Sequence, residues 1–460
     1  MSCSDVNRLL QQAKKFNVAG PRYTSYPTAL QFEVPDNDRT LRSFLELRKT
    51  NAVSLSLYVH IPFCFSLCWY CGCTKVITKD QDRGDVYIDY LEKEIILVSD
   101  TLHPDSLVKQ IHFGGGTPTF LTPGQLRRLG EILKRYFTIS EDLEFSVEID
   151  PRSVLPEHVD ALTDIGCNRV SLGIQDINEK VQKAIRRVQP IEESAYVTTL
   201  ARDAGMKSVN FDLIYGLPKQ TLSTFRDTLN QVASLDPDRF AIYSYAHMPS
   251  VMPSQKLLNS EELPSATEKL SMLVHAVDRL PRLGYDFIGM DHFAKESDEL
   301  SIALKNGTLQ RNFQGYSTRP ELEMIGLGMS SISQGNKFYT QNEKDLSRYY
   351  DLLDEGILPV KKVLELSDED VLRREIIMTI MCKGVLHFDT FQLEEGFSFS
   401  DRFSEELSRL TPLEEEGLIQ IDNHSLQITS SGRLFLRNIA MAFDHYLQSE
   451  KHQNAYSKTI

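Results

Sequence analysis

Short apolar runs alternate with amphipathic stretches along most of this chain. Six runs rich in β-branched, aromatic and aliphatic residues read as strands: Ser54–Pro62, Gln110–Gly115, Glu144–Asp150, Arg169–Gln175, Ser208–Gly216 and Arg239–Met248. Phe287–Phe293 is a candidate seventh. A run such as SLSLYVHIP has the mixture expected of a strand covered on both faces. Helical patterns fill the intervals. Tyr87, Leu91, Ile95 and Val98 recur on one helix face. Thr122-Pro123-Gly124-Gln125 reads as a helix start, with an N-cap, Pro at the first turn and Gln three residues on. Ser265 and Glu268 form a second capping pattern, and Pro281 marks where that helix ends.

Repeated strand–helix alternation predicts right-handed βαβ units and a parallel sheet. The fold class is therefore α/β: a partial (β/α) barrel of about six parallel strands, with an N-terminal arm and a mainly helical C-terminal accessory domain. The expected division is an arm over 1–48, the barrel over 49–285, a barrel extension over 286–360 and the accessory domain over 361–460. In the last segment, Ile419–Ile421 and Leu426–Ile428 alternate as a wing-like hairpin. Chemistry in such barrels gathers at the C-terminal ends of the strands.

Composition narrows the class. The chain has 460 residues, 41% of them hydrophobic, enough for a large core. The net charge of −14 argues against a nucleic-acid binder, which needs clustered cations. No apolar run reaches the roughly 18–20 residues of a membrane span. The opening MSCSDVNRLLQQAKKF lacks the apolar core of a signal peptide, so a cytoplasmic location is expected. Four of the seven cysteines, Cys64, Cys68, Cys71 and Cys73, crowd into ten residues, which reads as metal or redox chemistry. Cys3, Cys167 and Cys382 are scattered and read as ordinary thiols.

The spacing Cys64-x3-Cys68-x2-Cys71 follows the first strand directly. A structural zinc site usually takes four ligands from two separated pairs. Here three cysteines share one short loop, and Cys73 sits too close to Cys71 to turn back as an easy fourth ligand. Three thiolates around an iron–sulfur cube leave one iron open to a chelating ligand. After the second strand comes Gly114-Gly115-Gly116-Thr117-Pro118-Thr119, whose glycines let backbone approach a ligand closely.

The C-x3-C-x2-C loop resembles the radical S-adenosylmethionine superfamily. The longer string YVHIPFCFSLCWYCGCTK, with Tyr58 and Cys73, is similar to the oxygen-independent coproporphyrinogen III oxidase family. So are GPRYTSYPTA, GGGTPT, EIDPR, GIQD, DLIYGLPKQT, YAHMP, GMDHFA, RNFQGYST and RLFLRNIAM, which cover nearly the whole chain. One departure is Phe65-Ser66, where that family often has polar or basic residues. The resemblance implies one 4Fe–4S cluster on Cys64, Cys68 and Cys71, and two molecules of S-adenosylmethionine. It places Tyr58, Gly115 and Glu148 on a first molecule, held by the open iron. Gly116, Thr117, Gln175, Arg187 and Asp212 would surround the second, and Ala246 and Ile332 would line the two ligands. Phe313 and Gln314 would shape the second pocket.

The implied activity is decarboxylation of the ring A and B propionates of coproporphyrinogen III to vinyl groups, giving protoporphyrinogen IX for haem synthesis. An unidentified electron-donor protein is implied, and a monomer is expected. Arg22 is a candidate for a substrate carboxylate, because bidentate arginine suits carboxylates; the arm would then close over the barrel mouth. The competing readings are a haem chaperone of the same superfamily, a radical haem-degrading methyltransferase, and a zinc-stabilised barrel without catalysis. Cys73 and the GPRYTSYPTA arm weigh against the chaperone. His60, His112 and His292 show no ligand spacing and read as hydrogen-bonded core residues.

Overall fold

The computed structural model describes residues 3–35, 39–319, 322–391, 398–448 and 456–459. All six expected strands are present: β1 Ser54–Ile61, β2 Leu107–Gly115, β3 Thr138–Ile149, β4 Arg169–Gln175, β5 Ser208–Tyr215 and β6 Arg239–Ser244. They pair in chain order, each pair parallel, and form the wall of a partial barrel. β2 and β3 begin earlier than the apolar runs, because Leu107 and Thr138 already pair across the ladder. β6 stops at Ser244, short of Met248.

The candidate seventh unit is a hairpin instead. Tyr285–Gly289 and His292–Lys295 pair antiparallel, and the second of them pairs antiparallel with β6. No helix separates the two halves, so the chain turns back at Met290 and Asp291 rather than crossing over. On the opposite side of β1 lies an unforeseen parallel strand, Glu323–Leu327. Antiparallel strands Ile332–Gln334, Phe338–Asn342 and Val360–Glu365 extend that edge.

The two faces of the barrel strands differ more than the apolar runs suggest. Leu55, Leu57, Val59 and Ile61 are buried on the outer face, while Ser56, Tyr58 and His60 alternate onto the inner one. The ladder register then sets polar residues side by side. Ser56 Oγ donates to Gln110 Oε1 (2.9 Å), and Gln110 Nε2 donates to Glu144 Oε1 (2.9 Å). Arg169 closes the row against Glu144 (3.8 Å) and Glu299 (2.5 Å). An inner wall of this kind suits a polar ligand rather than an oily plug.

The helix signals hold with one change. Tyr87, Leu91, Ile95 and Val98 are buried along helix Asp82–Ser99. Thr122 and Gln125 form a full capping box on helix Pro123–Tyr136. Ser265 caps helix Ala266–Arg279, but the Glu268 carboxylate accepts from Leu222 N–H (3.4 Å) instead of closing a box.

Glu94, on the helix Asp82–Ser99, is 1% exposed. It accepts hydrogen bonds from Tyr349 Oη (2.6 Å), Gly328 N (2.7 Å) and Asn342 Nδ2 (2.6 Å), pinning the turn after Leu327. Burial pushes its carboxyl up to about 7, against the pull of those three donors. The unfolded carboxyl ionises near 4.3, so between that pH and 7 the folded state holds the extra proton and stability falls as pH rises. We expect the stability difference between the native chain and Glu94→Gln to shift by about 2–3 kcal/mol in favour of the variant between pH 5 and pH 8. Denaturant unfolding at the two pH values measures this; a pH-independent difference would contradict the assignment.

The N-terminal arm is packed as a wedge and does not stand free over the barrel. Tyr23 and Tyr26 are fully buried, and Tyr23 Oη donates to Asp444 (2.9 Å). Arg437 donates to the carbonyls of Gly20 and Pro21. Arg22 ion-pairs with the buried Asp291 and lies over the Tyr243 ring (5.6 Å). The arm thus joins the barrel to the C-terminal helices. There, Val385–His387, Ser425–Ile428 and Ile419–Ile421 form the expected wing, enlarged to three strands.

Candidate functional site

Two neighbouring cavities open at the C-terminal ends of the barrel strands. The first, of about 540 Å3, is lined by Cys64, Cys68, Cys71, Gly115, Gly116, Thr117, Glu148, Gln175, Arg187 and Asp212, among others. The second, of about 390 Å3, is lined by Tyr58, His60, His112, Gly115, Glu148, Tyr243, Phe313, Gln314 and Ile332, among others. Gly115, Glu148 and Cys73 belong to both and form the partition. Ala246 lines neither cavity; its carbonyl accepts from Gln255 Nε2 (3.1 Å), and the same amide donates to Tyr70 O (3.0 Å) in the cysteine loop.

The cysteine loop leaves β1 through Phe63–Cys64, which pairs with Val76–Ile77 so that the loop is closed at its base. Thr117 Oγ1 donates to Cys64 Sγ (3.4 Å). Arg152 and Arg187 each aim a guanidinium nitrogen at Cys68 Sγ (3.7 Å). Lys75 Nζ donates to the carbonyls of Cys71 and Cys73 (3.1 and 3.2 Å). Among the described residues no three His, Cys, Asp or Glu side chains lie close enough to share a single metal ion. The three cysteines nevertheless line one cavity, together with Lys75, Arg152 and Arg187 and with Glu148, Asp150 and Asp212. Separate cysteine sulfurs around one space, with two guanidinium groups at Cys68, fit the corners of an iron–sulfur cube better than one zinc ion.

The glycine run is fixed by contacts. A Cβ on Gly116 would meet the carbonyl oxygens of Pro62 and Phe63 at 2.6 and 2.7 Å, both rigid backbone. Gly115 has φ +112°, which disfavours any side chain, and its N–H donates to Glu148 Oε2 (3.2 Å). His112 holds Glu148 from the other side (3.4 Å) and Ser146 Oγ (2.5 Å), and its ring stacks on Tyr58 (5.9 Å). His60 bridges Tyr58 Oη (3.1 Å) and Thr74 O (3.0 Å). Both histidines are hydrogen-bonded, as expected, and both form part of the wall of the second cavity.

On the far wall, Gln175 ends β4 at φ +67°, a conformation that costs a non-glycine residue energy and turns it toward the first cavity. Asp212 accepts from Ser171 Oγ (2.8 Å) and Asn210 Nδ2 (2.9 Å). Burial pushes Asp212 up to about 7, despite those donors. Arg187 is buried and bidentate to Asp150 (3.0 and 3.1 Å), with a third bond to Gly173 O (2.6 Å). Its neighbour Arg186 is exposed, over the Trp69 ring. Burial opposes ionisation of Asp150, yet Arg187 and Arg152 hold it down to about 2.

Asp150, Arg152, Tyr70 and His112 line these cavities without having been singled out from the sequence. The alternation Glu148-x-Asp150-x-Arg152 at a strand end was the available signal. Tyr70 and His112 carried none that separated them from core residues. The grouping also differs from expectation in one respect. The cysteines share their cavity with Gly116, Thr117, Gln175, Arg187 and Asp212, whereas Tyr58 and Ile332 stand in the neighbouring one.

Comparison with known proteins agrees with this geometry. Residues 58–232 match the Radical SAM superfamily model, and residues 366–435 match the HemN C-terminal domain. Similar curated proteins include the oxygen-independent coproporphyrinogen III oxidase of Salmonella typhimurium, 42% identical over 100% of both chains. That of Helicobacter pylori (strain J99) is 44% identical over 98% of this chain and 99% of its own. A solved structure, coproporphyrinogen III oxidase (HemN) from Escherichia coli, described as a radical SAM enzyme, superposes with a TM-score of 0.88 at 42% identity. The match covers 92% of this chain and 97% of that one. With relatives this close over its full length, and the cysteine loop and glycine run meeting at one end of a partial barrel, the chain belongs to the oxygen-independent coproporphyrinogen III oxidase family of the radical SAM superfamily.

Proposed function

We propose that this chain converts coproporphyrinogen III to protoporphyrinogen IX without oxygen, by oxidative decarboxylation of two propionates, in haem biosynthesis. The observation that carries the reading is the convergence of Cys64, Cys68 and Cys71 with Gly116, Thr117, Gln175, Arg187 and Asp212 on one cavity. A 4Fe–4S cluster on the three cysteines and S-adenosylmethionine would supply a 5′-deoxyadenosyl radical when bound. Gly116 and Thr117 offer backbone groups to the cofactor, and Asp212 and Gln175 offer acceptors and donors for its polar atoms. Arg187 and Arg152 offset the negative charge at Cys68. We place a second S-adenosylmethionine against Tyr58, Gly115, Glu148 and Ile332, with Ala246 acting through its loop rather than by contact.

The reading includes an electron-donor protein, a monomeric chain, a cytoplasmic setting and the division at 48/49, 285/286 and 360/361. No helix among the described residues is long and apolar enough to cross a membrane. Anaerobic incubation with coproporphyrinogen III, S-adenosylmethionine and a reductant tests the activity, and protoporphyrinogen IX is the expected product. The grouping of residues gives a second result. Asp212→Ala should lose 5′-deoxyadenosine formation even without porphyrinogen, by tenfold or more for a lost charge-assisted bond. Tyr58→Phe should retain cleavage and lose coupling to vinyl formation. The reverse pattern would return Tyr58 to the iron.

A further inference from the structure

Phe313 lines the Tyr58–Glu148 cavity and also lines a further cavity of about 370 Å3. Its walls are the arm from Pro21 to Leu30, Phe313, Gln341, Lys344, Lys362 and Tyr456. None of its described lining residues is Asp or Glu, although the chain as a whole carries a net charge of −14. Three cations face this space. Arg22 is already neutralised by Asp291. Lys344 and Lys362 have no ion-pair partner among the described residues.

Strand alternation explains why Lys362 has no such partner among the described residues. Lys362 lies opposite Gln341 in the edge ladder, and both line the cavity. The preceding residue, Lys361, points to the other face and pairs with Glu343 (3.3 Å). Two adjacent lysines of one strand therefore have different surroundings: one paired, the other aimed at a space walled by aromatic and uncharged polar groups. Positive charge in a cavity with aromatic walls, sharing Phe313 with the neighbouring site cavity, matches a flat ligand bearing several carboxylates.

We infer that Lys344 and Lys362 bind carboxylates of the tetrapyrrole substrate at the arm-side entrance to the site. This rests on the activity proposed above. The lysines hold propionates that are not reacting, and the Phe313 side of the cavity receives the apolar edge of the macrocycle. Arg22 orders the entrance by fixing the arm to Asp291, and does not itself supply the free charge. The role is substrate binding, so its loss falls on KM rather than on kcat.

The experiment compares the holoenzyme with Lys344→Ala, Lys362→Ala, the double variant, and Lys361→Ala as a charge-matched control. KM values are measured separately for coproporphyrinogen III and for S-adenosylmethionine. Equilibrium binding of coproporphyrinogen III is measured anaerobically without S-adenosylmethionine, so that no turnover intervenes. Each single variant should raise the KM and dissociation constant for coproporphyrinogen III roughly fivefold, and the double variant more, with the difference shrinking at high salt. Lys361→Ala should leave both constants near the native values. Unchanged constants in the double variant overturn the inference. So does a rise confined to S-adenosylmethionine, which would give the lysines to the cofactor's carboxylate. Failure of the native enzyme to turn over coproporphyrinogen III would instead overturn the proposed activity; the ratio of dissociation constants would still judge the lysines.

Discussion

Cys64→Ala, Cys68→Ala and Cys71→Ala should each abolish stable iron binding and all turnover, while Cys73→Ala should keep a cluster with near-native absorbance. A cube held by three thiolates from one loop has no spare protein ligand, so removing any one opens a second iron and releases the cluster. The surroundings separate Cys64 and Cys68 from Cys73, whereas the Cys71 and Cys73 thiols are hydrogen-bonded to each other. Cys64 Sγ accepts from Thr117, and Cys68 Sγ faces two guanidinium groups. Cys73 is exposed on the partition between the two cavities, where Glu148 also lies. Iron and sulfide content after anaerobic reconstitution, read beside 5′-deoxyadenosine yield, decides this. Loss of iron in Cys73→Ala as complete as in Cys68→Ala would mean a fourth protein ligand and would end the open-iron reading.

Arg187→Ala should cost about 3 kcal/mol of stability and weaken cluster retention together with activity. The side chain is buried, and its removal takes two bonds from Asp150, one from Gly173 O and one of the two cations facing Cys68. Breaking one partner of a buried pair typically costs about 3–5 kcal/mol; the lower end applies because Arg152 still holds Asp150 at 2.6 Å. Arg187→Lys should recover only part of this, since a single ammonium cannot reproduce the planar fork. The pH dependence has a definite sign. Asp150 is depressed to about 2, so its contribution is complete above the ordinary carboxylate range near 4 and is lost only as pH falls toward 2. The deficit of Arg187→Ala should therefore be the same at pH 6 and pH 8. Urea unfolding at both values measures it; a deficit below about 0.5 kcal/mol would fit an ordinary surface arginine and contradict the buried role.

Much of the site was legible because the chemistry is local in sequence. The three cysteines lie on one short loop after one strand, and the glycine run follows the next. Their spacing reports their proximity without knowledge of the fold. Glu148, Gln175 and Asp212 could be placed at strand ends for the same reason, since a barrel collects the ends of its strands at one mouth. Arg22 was legible as an unusual cation in a proline-punctuated arm, but not its partner Asp291, which is 269 positions away in sequence. The hairpin at Tyr285–Lys295 read as a parallel strand because an apolar run carries no sign of direction. The strand Glu323–Leu327 was missed because its five residues include a glycine and no flanking helix marked it as a βα unit.

By itself, then, the sequence determined the α/β class and the six barrel strands, because periodicity is a property of neighbouring residues, and the resemblance of its motifs pointed to the family. The tertiary structure decided what depends on residues far apart in the chain meeting. It split the site residues between two cavities, with Glu148 on the partition. It engaged Arg187 with Asp150 and committed Arg22 to Asp291, while Lys362 and Lys344 line a cavity with Phe313 and have no ion-pair partner among the described residues. Charge balance between side chains is a matter of distance through space, and a linear sequence of charges does not record it.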